Sequence, residues 1–424
     1  MGAGERSSNT AMPELRSNLV ALILGLTLGS TILFADDWPQ WRGPNRDGQS
    51  RDSLPVQLPS APTVIWKLAL AHGYSSPLIT SNRVVVLDDA DNQETAHGIE
   101  ASTGQKLWSS PLGENYRDEF EPGPRCTPVM DGDHVYAQTT KGEFRCLRLS
   151  DGTTVWRTNF TDLGMVWNSE PNTGIGAANR RGNTGSPVVY GNKIIVQVGS
   201  TQGASIVAFD KMTGRILWKS QNDLTTYSSP HLGTLAGRPH FVSVTCEGML
   251  ALAPEDGSVL WRIPFKTAAN RNVLTPLILD NTVYFASHST GMRAIRVSMD
   301  SGKIQALEIW LNPELKINLS SPVAVGGFLF GQGPTKNYIC IDRTSGKICW
   351  SQSGFGDVAS TICSGSRLLV LTDVGELRLL ASNPEKYEEL GRLQVCGKTY
   401  AHPAFANGVL YARDSRGLQA IGLR

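Results

Sequence analysis

The feature that most constrains this chain is a segment that it writes repeatedly. The clearest copy is AFDKMTGRILW, Ala208 to Trp218. Looser copies begin at Gly98, Cys146, Ala251 and Cys340 and end at Trp108, Trp156, Trp261 and Trp350. In each, a small residue opens the segment, Gly follows six positions later and Trp four after that. Self-similarity at a fixed spacing signals a repeat architecture and takes precedence over local propensity.

Each repeat has one internal order. A Ser/Thr-Pro or His-Pro pair precedes an apolar run, then a Gly/Asn turn, a second β-rich run and the Gly–Trp segment. The pairs are Ser76-Pro77, Thr127-Pro128, Ser186-Pro187, Ser229-Pro230, Thr275-Pro276, Ser321-Pro322 and His402-Pro403, with Ser360-Thr361 at the equivalent place. Short β-branched runs bounded by turn residues read as strands, and Pro fits a strand's first residue. Four antiparallel strands repeated radially describe a propeller blade. The fold class expected is therefore all-β, an eight-bladed propeller over residues 62–424. The last unit, from His402 to Arg424, supplies three strands, and PTVIWKLAL, Pro62 to Leu70, stands spare before the first unit. The spare strand is expected to complete the last blade and protect its edge.

Two units break the pattern. In the fifth, Trp310 lies four positions late after Gly302, which predicts a bulge or longer loop. The seventh lacks both Gly and Trp in the expected places. Between Trp156 and Trp218 the interval is 62 residues, against 42 and 43 for complete neighbours. The surplus falls in residues 157–185, rich in Gly and Asn, and long loops in compact arrays are usually functional or disordered. Trp167, Arg180 and Arg181 in this insertion are the candidate partner-binding residues, since Trp and Arg are enriched at binding hot spots.

The N-terminus reads as a targeting segment. Arg6 and Arg16 precede the apolar run Leu19 to Ala35, followed by Asp36-Asp37. That is the order of a signal peptide, although Leu33 stands where a small residue is preferred. An uncleaved anchor is the alternative, because 17 apolar-biased residues approach a membrane-spanning length. The organisation expected is a signal over 1–35, an arm over 36–61 and the propeller over 62–424, with periplasmic or secreted localisation. In the arm, Trp38 and Trp41 need cover, and packing that seals a blade edge is expected.

Charge is balanced, 39 basic against 38 acidic residues, without a basic stripe. This disfavours a nucleic-acid partner. The seven Cys match no zinc or haem spacing. Cys340 and Cys349 flank one hairpin and could pair, but both read better as small hydrophobes in strands. Asp210, Asp256, Asp300 and Asp342 beside Gly read as turn residues. Asp88, Asp89 and Asp91 could hold a hard cation but read better as a solvated loop. His72, His97, His231 and His402 lack a nearby nucleophile motif and read as structural.

At the Gly–Trp segments the chain resembles the PQQ-type β-propeller repeat family, whose motif Ala208, Asp210, Thr213, Gly214 and Trp218 match in full. The resemblance implies that Trp66, Trp108, Trp156, Trp218, Trp261 and Trp350 dock neighbouring blades. It also implies one of two functions. Quinoprotein dehydrogenases of the family bind pyrroloquinoline quinone and calcium in the funnel. Non-enzymatic members similar to BamB act as scaffolds in outer-membrane protein assembly. This chain lacks the adjacent Cys pair and any residue that matches the catalytic Asp. The expectation is therefore a non-enzymatic, monomeric scaffold without cofactor that binds an envelope protein or peptide. A quinoprotein oxidoreductase with pyrroloquinoline quinone and calcium is the alternative, and a small ligand or polysaccharide in the channel a third reading. DDWPQWRGPNRDG, Asp36 to Gly48, resembles the opening segment of many secreted members.

Overall fold

The structure is a computed structural model that describes residues 1–2, 37–117, 122–166 and 182–423. The signal-like run Leu19 to Ala35 and the insertion residues Trp167, Arg180 and Arg181 lie outside the described residues. The arm and propeller fall in one compact unit, Ala35–Arg424, apart from Met1–Phe34.

Eight four-stranded antiparallel sheets form the unit. Blades 1 to 7 span residues 78–114, 129–159, 188–220, 231–264, 277–312, 323–353 and 359–394. Blade 8 consists of strands Ala404–Ala406, Val409–Asp414 and Gly417–Gly422, completed by Thr63–Ala69 on the outside. The spare N-terminal strand thus closes the ring, paired antiparallel from Thr63↔Gly422 to Ala69↔Gly417. The first strands face the axis, and at several seams they touch one another, as between blades 1 and 2, 2 and 3, 4 and 5, 6 and 7, and 8 and 1.

The repeat motif has a packing explanation. The small residue that opens the segment sits across from the Trp that ends it, as in Gly98↔Trp108, Cys146↔Trp156, Ala208↔Trp218, Ala251↔Trp261 and Cys340↔Trp350. A β-bulge follows at once in every one of these pairs, adding local twist. Each indole then reaches the next blade. Trp66 donates to the Ala101 carbonyl at 2.7 Å, Trp108 to Leu149 at 2.9 Å, Trp156 to Lys211 at 2.9 Å and Trp350 to Asn383 at 2.8 Å. Where the receiving blade keeps its motif Gly, as at Gly104, Gly152 and Gly214, that residue lies against the ring. A Cβ at Gly214 would stand 2.7 Å from the Trp156 ring, and its φ of +71° already favours glycine.

The two irregular units depart for definable reasons. In blade 5 both outer strands run for ten residues, Gly291–Asp300 and Lys303–Asn312, and a bulge lies between Ala294 and Ile295. Trp310 nevertheless docks on blade 6, donating to the Arg343 carbonyl at 3.0 Å. The lengthened hairpin leaves Gly302 with nothing within 4 Å, so Trp261 loses its glycine seat and its buried Nε1 finds no acceptor. Blade 7 offers no Trp to blade 8. Leu54 and Leu58 of the arm instead join the cluster containing Leu393, Val395, Ala406 and Val409.

Two expectations need correction. Asp88 and Asp89 are buried rather than solvated: Asp88 accepts from the Ala71 and Ala90 amides and contacts His97 at 2.8 Å, and Asp89 accepts from Asn115. Cys349 is exposed rather than packed, while its hairpin partner Cys340 is buried, and both are free thiols. The turn reading of Asp210 and Asp342 agrees with their hydrogen bonds, each accepting the amides of the residues two and three positions on.

Candidate functional site

The arm occupies the axis rather than a blade edge, which corrects the expectation for Trp38 and Trp41. Trp38 exchanges backbone hydrogen bonds with Ile79 of blade 1, and the Met130 amide of blade 2 donates to Pro39. Gly48 and Ser50 bracket Cys363 of blade 7, and Asp52 accepts the Gly408 amide of blade 8. Between these ends the arm turns tightly, with Arg42, Gly43, Arg46 and Gly48 all at positive φ.

Arg42 and Arg46 point into the ring. Each is 1% exposed. Arg46 donates to the carbonyls of Ser186 and Pro187 in blade 3, and Arg42 to that of Pro322 in blade 6. A planar fork suits several converging carbonyls. Neither forms an ion pair among the described residues, and Arg42 leaves Nε and Nη1 without a partner. Burial lowers their pKa values to about 10 and about 9, so both remain charged at neutral pH.

The Ser/Thr-Pro pairs build a ring around this plug. The Ser76 amide donates to Thr127 Oγ1 at 3.0 Å, Thr127 to Ser186 Oγ at 3.3 Å, Ser186 to Ser229 Oγ at 3.0 Å and Thr275 to Ser321 Oγ at 2.8 Å. The hydroxyl therefore links neighbouring blades, while the Pro begins the inner strand. At the eighth position His402 replaces the hydroxyl. Its ring stacks on Trp38 and meets Trp41 edge-on, and burial holds it neutral with a pKa of about 4.

Above the plug opens a funnel of about 590 Å³, within the range of ligand sites. Trp41, Arg42 and His402 belong to its floor, with the Trp41 indole bonded to Thr275 Oγ1 at 2.8 Å. The residue two positions before each Ser/Thr-Pro pair or its equivalent lines the wall, and the eight together form two arcs. From blade 8 round to blade 4 they are Tyr400, Tyr74, Arg125, Thr184 and Tyr227; over blades 5 to 7 they are Val273, Leu319 and Val358. The Tyr74 and Tyr400 rings lie 5.8 Å apart, and the Arg125 guanidinium sits 5.2 Å over Tyr74. Arg271, Lys316 and Lys336 add further cations. Asp357 is the one carboxylate on the wall among the described residues, and Lys336 lies 3.1 Å from it.

This donor set does not fit calcium, which takes six to eight oxygen ligands. No group of three His, Cys, Asp or Glu able to hold a metal occurs among the described residues.

Comparison with known proteins now has a geometry to meet. Residues 59–163 and 92–352 match the family described as "Outer membrane protein assembly factor BamB". The chain belongs to that family. It is 30% identical over 159 residues to the outer membrane protein assembly factor BamB of Salmonella typhimurium, a match covering 34% of this chain and 37% of that protein. Among solved structures, BamB from Moraxella catarrhalis aligns with TM-score 0.58 and 16% identity, over 85% of this chain and 97% of that one. The quinohemoprotein alcohol dehydrogenase from Comamonas testosteroni aligns with TM-score 0.62 and 13% identity, over 91% and 80%. Identities this low speak to fold, which a BamB-type scaffold and a dehydrogenase share.

Of the residues singled out by sequence, the blade-end Trp side chains lie between blades, away from the funnel. Trp41 and His402 reach its floor. The insertion belongs to the connector between blades 3 and 2, and its end at Thr184 lines the wall. The wall residues went unnoticed because their types vary. Alignment of the eight units on the Ser/Thr-Pro pair would have brought them into one column.

Proposed function

We propose that this chain is an exported, non-enzymatic propeller whose funnel receives a segment of an envelope protein, in the manner of a BamB-type assembly scaffold. The observation that carries this reading is the funnel's chemistry: a closed floor, one arc of tyrosine and arginine, a facing arc of aliphatic side chains and no metal donor set among the described residues. Rigid rings of loops are suited to recognition. Tyr and Arg are favoured at binding hot spots, Tyr offering area at low entropic cost. The quinoprotein alternative has the fold in its favour and the donor set against it.

Within this reading residues 1–35 act as the export signal and 62–424 as the scaffold. No helix among the described residues is long and apolar enough to cross a membrane. Trp167, Arg180 and Arg181 are proposed to contact the partner, because the connector that carries them ends on the funnel wall.

Photo-crosslinking in the cell envelope tests the proposal. A crosslinker at Tyr227 or Tyr400 should yield a discrete protein adduct, and one at the exposed Met212 of the outer rim should not. Replacement of Trp167 or the Arg180–Arg181 pair should reduce the adduct. Retention of pyrroloquinoline quinone with calcium, together with dye reduction on an alcohol panel, would overturn it.

A further inference from the structure

We infer that Cys340 and Cys349 form an intrachain disulfide in the exported protein, installed by thiol–disulfide exchange with a disulfide-bearing oxidant of its compartment. The inference rests on the export reading, because such bonds form and persist in oxidising surroundings. It adds a covalent staple to the scaffold.

Three observations carry it. The first is the register of blade 6. Cys340 pairs with Trp350 and Ile341 with Ile348, and the residue left over in the bulge between them is Cys349. Two residues of a bulged strand oppose one on the partner strand, so Cys349 and Trp350 both face Cys340. Directly opposed residues stand about 4.5–5.5 Å apart at Cα, and a disulfide spans about 4.4–6.8 Å. The two thiols lie within hydrogen-bonding reach of each other; burial first, and then this neighbour, push the pKa of the Cys340 thiol up.

The second is what occupies the bulge elsewhere. Its extra residue is Leu107, Val155, Leu217 or Leu260 in the other copies of the segment. Cys146 takes the place of Cys340 in blade 2, but Val155 stands where the second thiol would be. Of these five copies, blade 6 alone has a thiol on both strands. Cys349 is also the one exposed Cys of the seven, the other six being buried. An oxidant therefore reaches Cys349 directly and Cys340 through it.

The third is what the bond holds. Trp350 docks on blade 7, donating to the Asn383 carbonyl at 2.8 Å and meeting the Tyr387 ring edge-on at 5.8 Å. Blade 7 lacks the motif Gly that would seat this indole. A staple at the residue beside Trp350 fixes the bulge that aims it across the irregular seam.

The exchange has two steps. The Cys349 thiolate attacks one sulfur of the oxidant's disulfide, forming a mixed disulfide and expelling one thiol. Cys340 then gives up its proton and attacks the Cys349 sulfur, expelling the second thiol. The cysteine pair loses two electrons and two protons, and the oxidant's disulfide takes up both. Reduction at the exposed Cys349 sulfur must expel Cys340, a poor leaving group at its raised pKa, so the bond resists reversal.

Peptide mapping of the full chain tests the inference. The envelope fraction is quenched in acid, free thiols are blocked with N-ethylmaleimide in denaturant, and trypsin is added without reductant. Cleavage after Arg343 and Lys347 separates Cys340, in residues 337–343, from Cys349, in residues 348–367. The two peptides should appear as one linked mass that divides on reduction, with Cys146 and Cys363 carrying maleimide. In the purified protein, oxidised glutathione should remove two of the seven thiols and raise the melting temperature by at least about 3 °C over the reduced form. Cys349→Ser should lose no thiol and show no rise. Envelope protein with maleimide on both cysteines, with Cys349 capped by glutathione beside a free Cys340, or with Cys349 joined to a second chain would each overturn the inference and leave the export reading standing. Recovery of the chain from the cytoplasm alone, with residues 1–35 intact, would remove both.

Discussion

Trp261 and Trp108 hold the same repeat position in different company. Trp108 donates to Leu149, and Gly152 lies flat on its ring. Trp261 is equally buried but has no acceptor, because the long hairpin of blade 5 carries Gly302 away. A net hydrogen bond contributes about 1 kcal/mol, and a buried unsatisfied donor costs about 1–3 kcal/mol. Trp108→Phe should therefore destabilise the protein at least about 1 kcal/mol more than Trp261→Phe, as read from urea midpoints at constant slope. Equal costs would mean that the indole N–H contributes nothing to docking.

His231 and His402 set an acid limit at the same scale. Burial is the first cause of both shifts, to about 3 and about 4 from 6.5, and each Nδ1 is engaged by a carbonyl. The unfolded chain takes up protons below its own histidine pKa while the folded chain does not. Their contribution is complete above about pH 6.5 and is lost as pH falls toward the folded values, at up to about 1.4 kcal/mol per pH unit for each group. Urea stability should fall on acidification from about pH 6.5 to about pH 5, and His402→Gln should reduce the slope.

At the scale of elements, the arm shows where sequence reading stops. The blades were legible because a repeat must satisfy the same neighbour contacts each time, so spacing alone reports packing. The arm makes each contact once. Charged residues are almost never fully buried without a partner, and nothing local indicated that Arg42 and Arg46 would meet carbonyls 280 and 140 positions away, respectively. The funnel wall was half legible: its register repeats, but its chemistry changes from blade to blade. Gly43 tests how tightly the arm is shaped. Its φ is +84°, and a Cβ would stand 2.9 Å from the Trp38 ring. Gly237 has a similar φ of +74° with nothing near. Gly237→Ala should cost about 1 kcal/mol from backbone strain alone, and Gly43→Ala clearly more, because the indole sits between inner strands and cannot retreat.

For the whole molecule, closure has two independent parts. The strand Thr63–Ala69 zips the outer edge of blade 8. The arm ties the inner ends of blades 1, 2, 3, 5, 6, 7 and 8 to one another through the axis. In a ring whose blades touch only their neighbours, stability is a sum of blade and interface terms. The outer strand adds to that sum at one seam. A central tie acts differently, because opening any seam also strains contacts to distant blades. A chain that begins at residue 62 retains the outer closure and loses the tie, whereas one that begins at residue 37 retains both. The shorter chain should melt at least about 10 °C lower, given about 2–4 °C per kcal/mol at large domain size and several buried hydrogen bonds lost. It should also unfold less cooperatively, with intrinsic fluorescence and circular dichroism no longer coincident. Arg46→Lys in the full chain gives the intermediate case. One ammonium cannot span the Ser186 and Pro187 carbonyls together with Gln40, so about 2–3 kcal/mol should be lost with cooperativity retained. If the chain from 62 melted within error of the chain from 37, the axial contacts would be a cover for the funnel floor and the ring would be held by its rim.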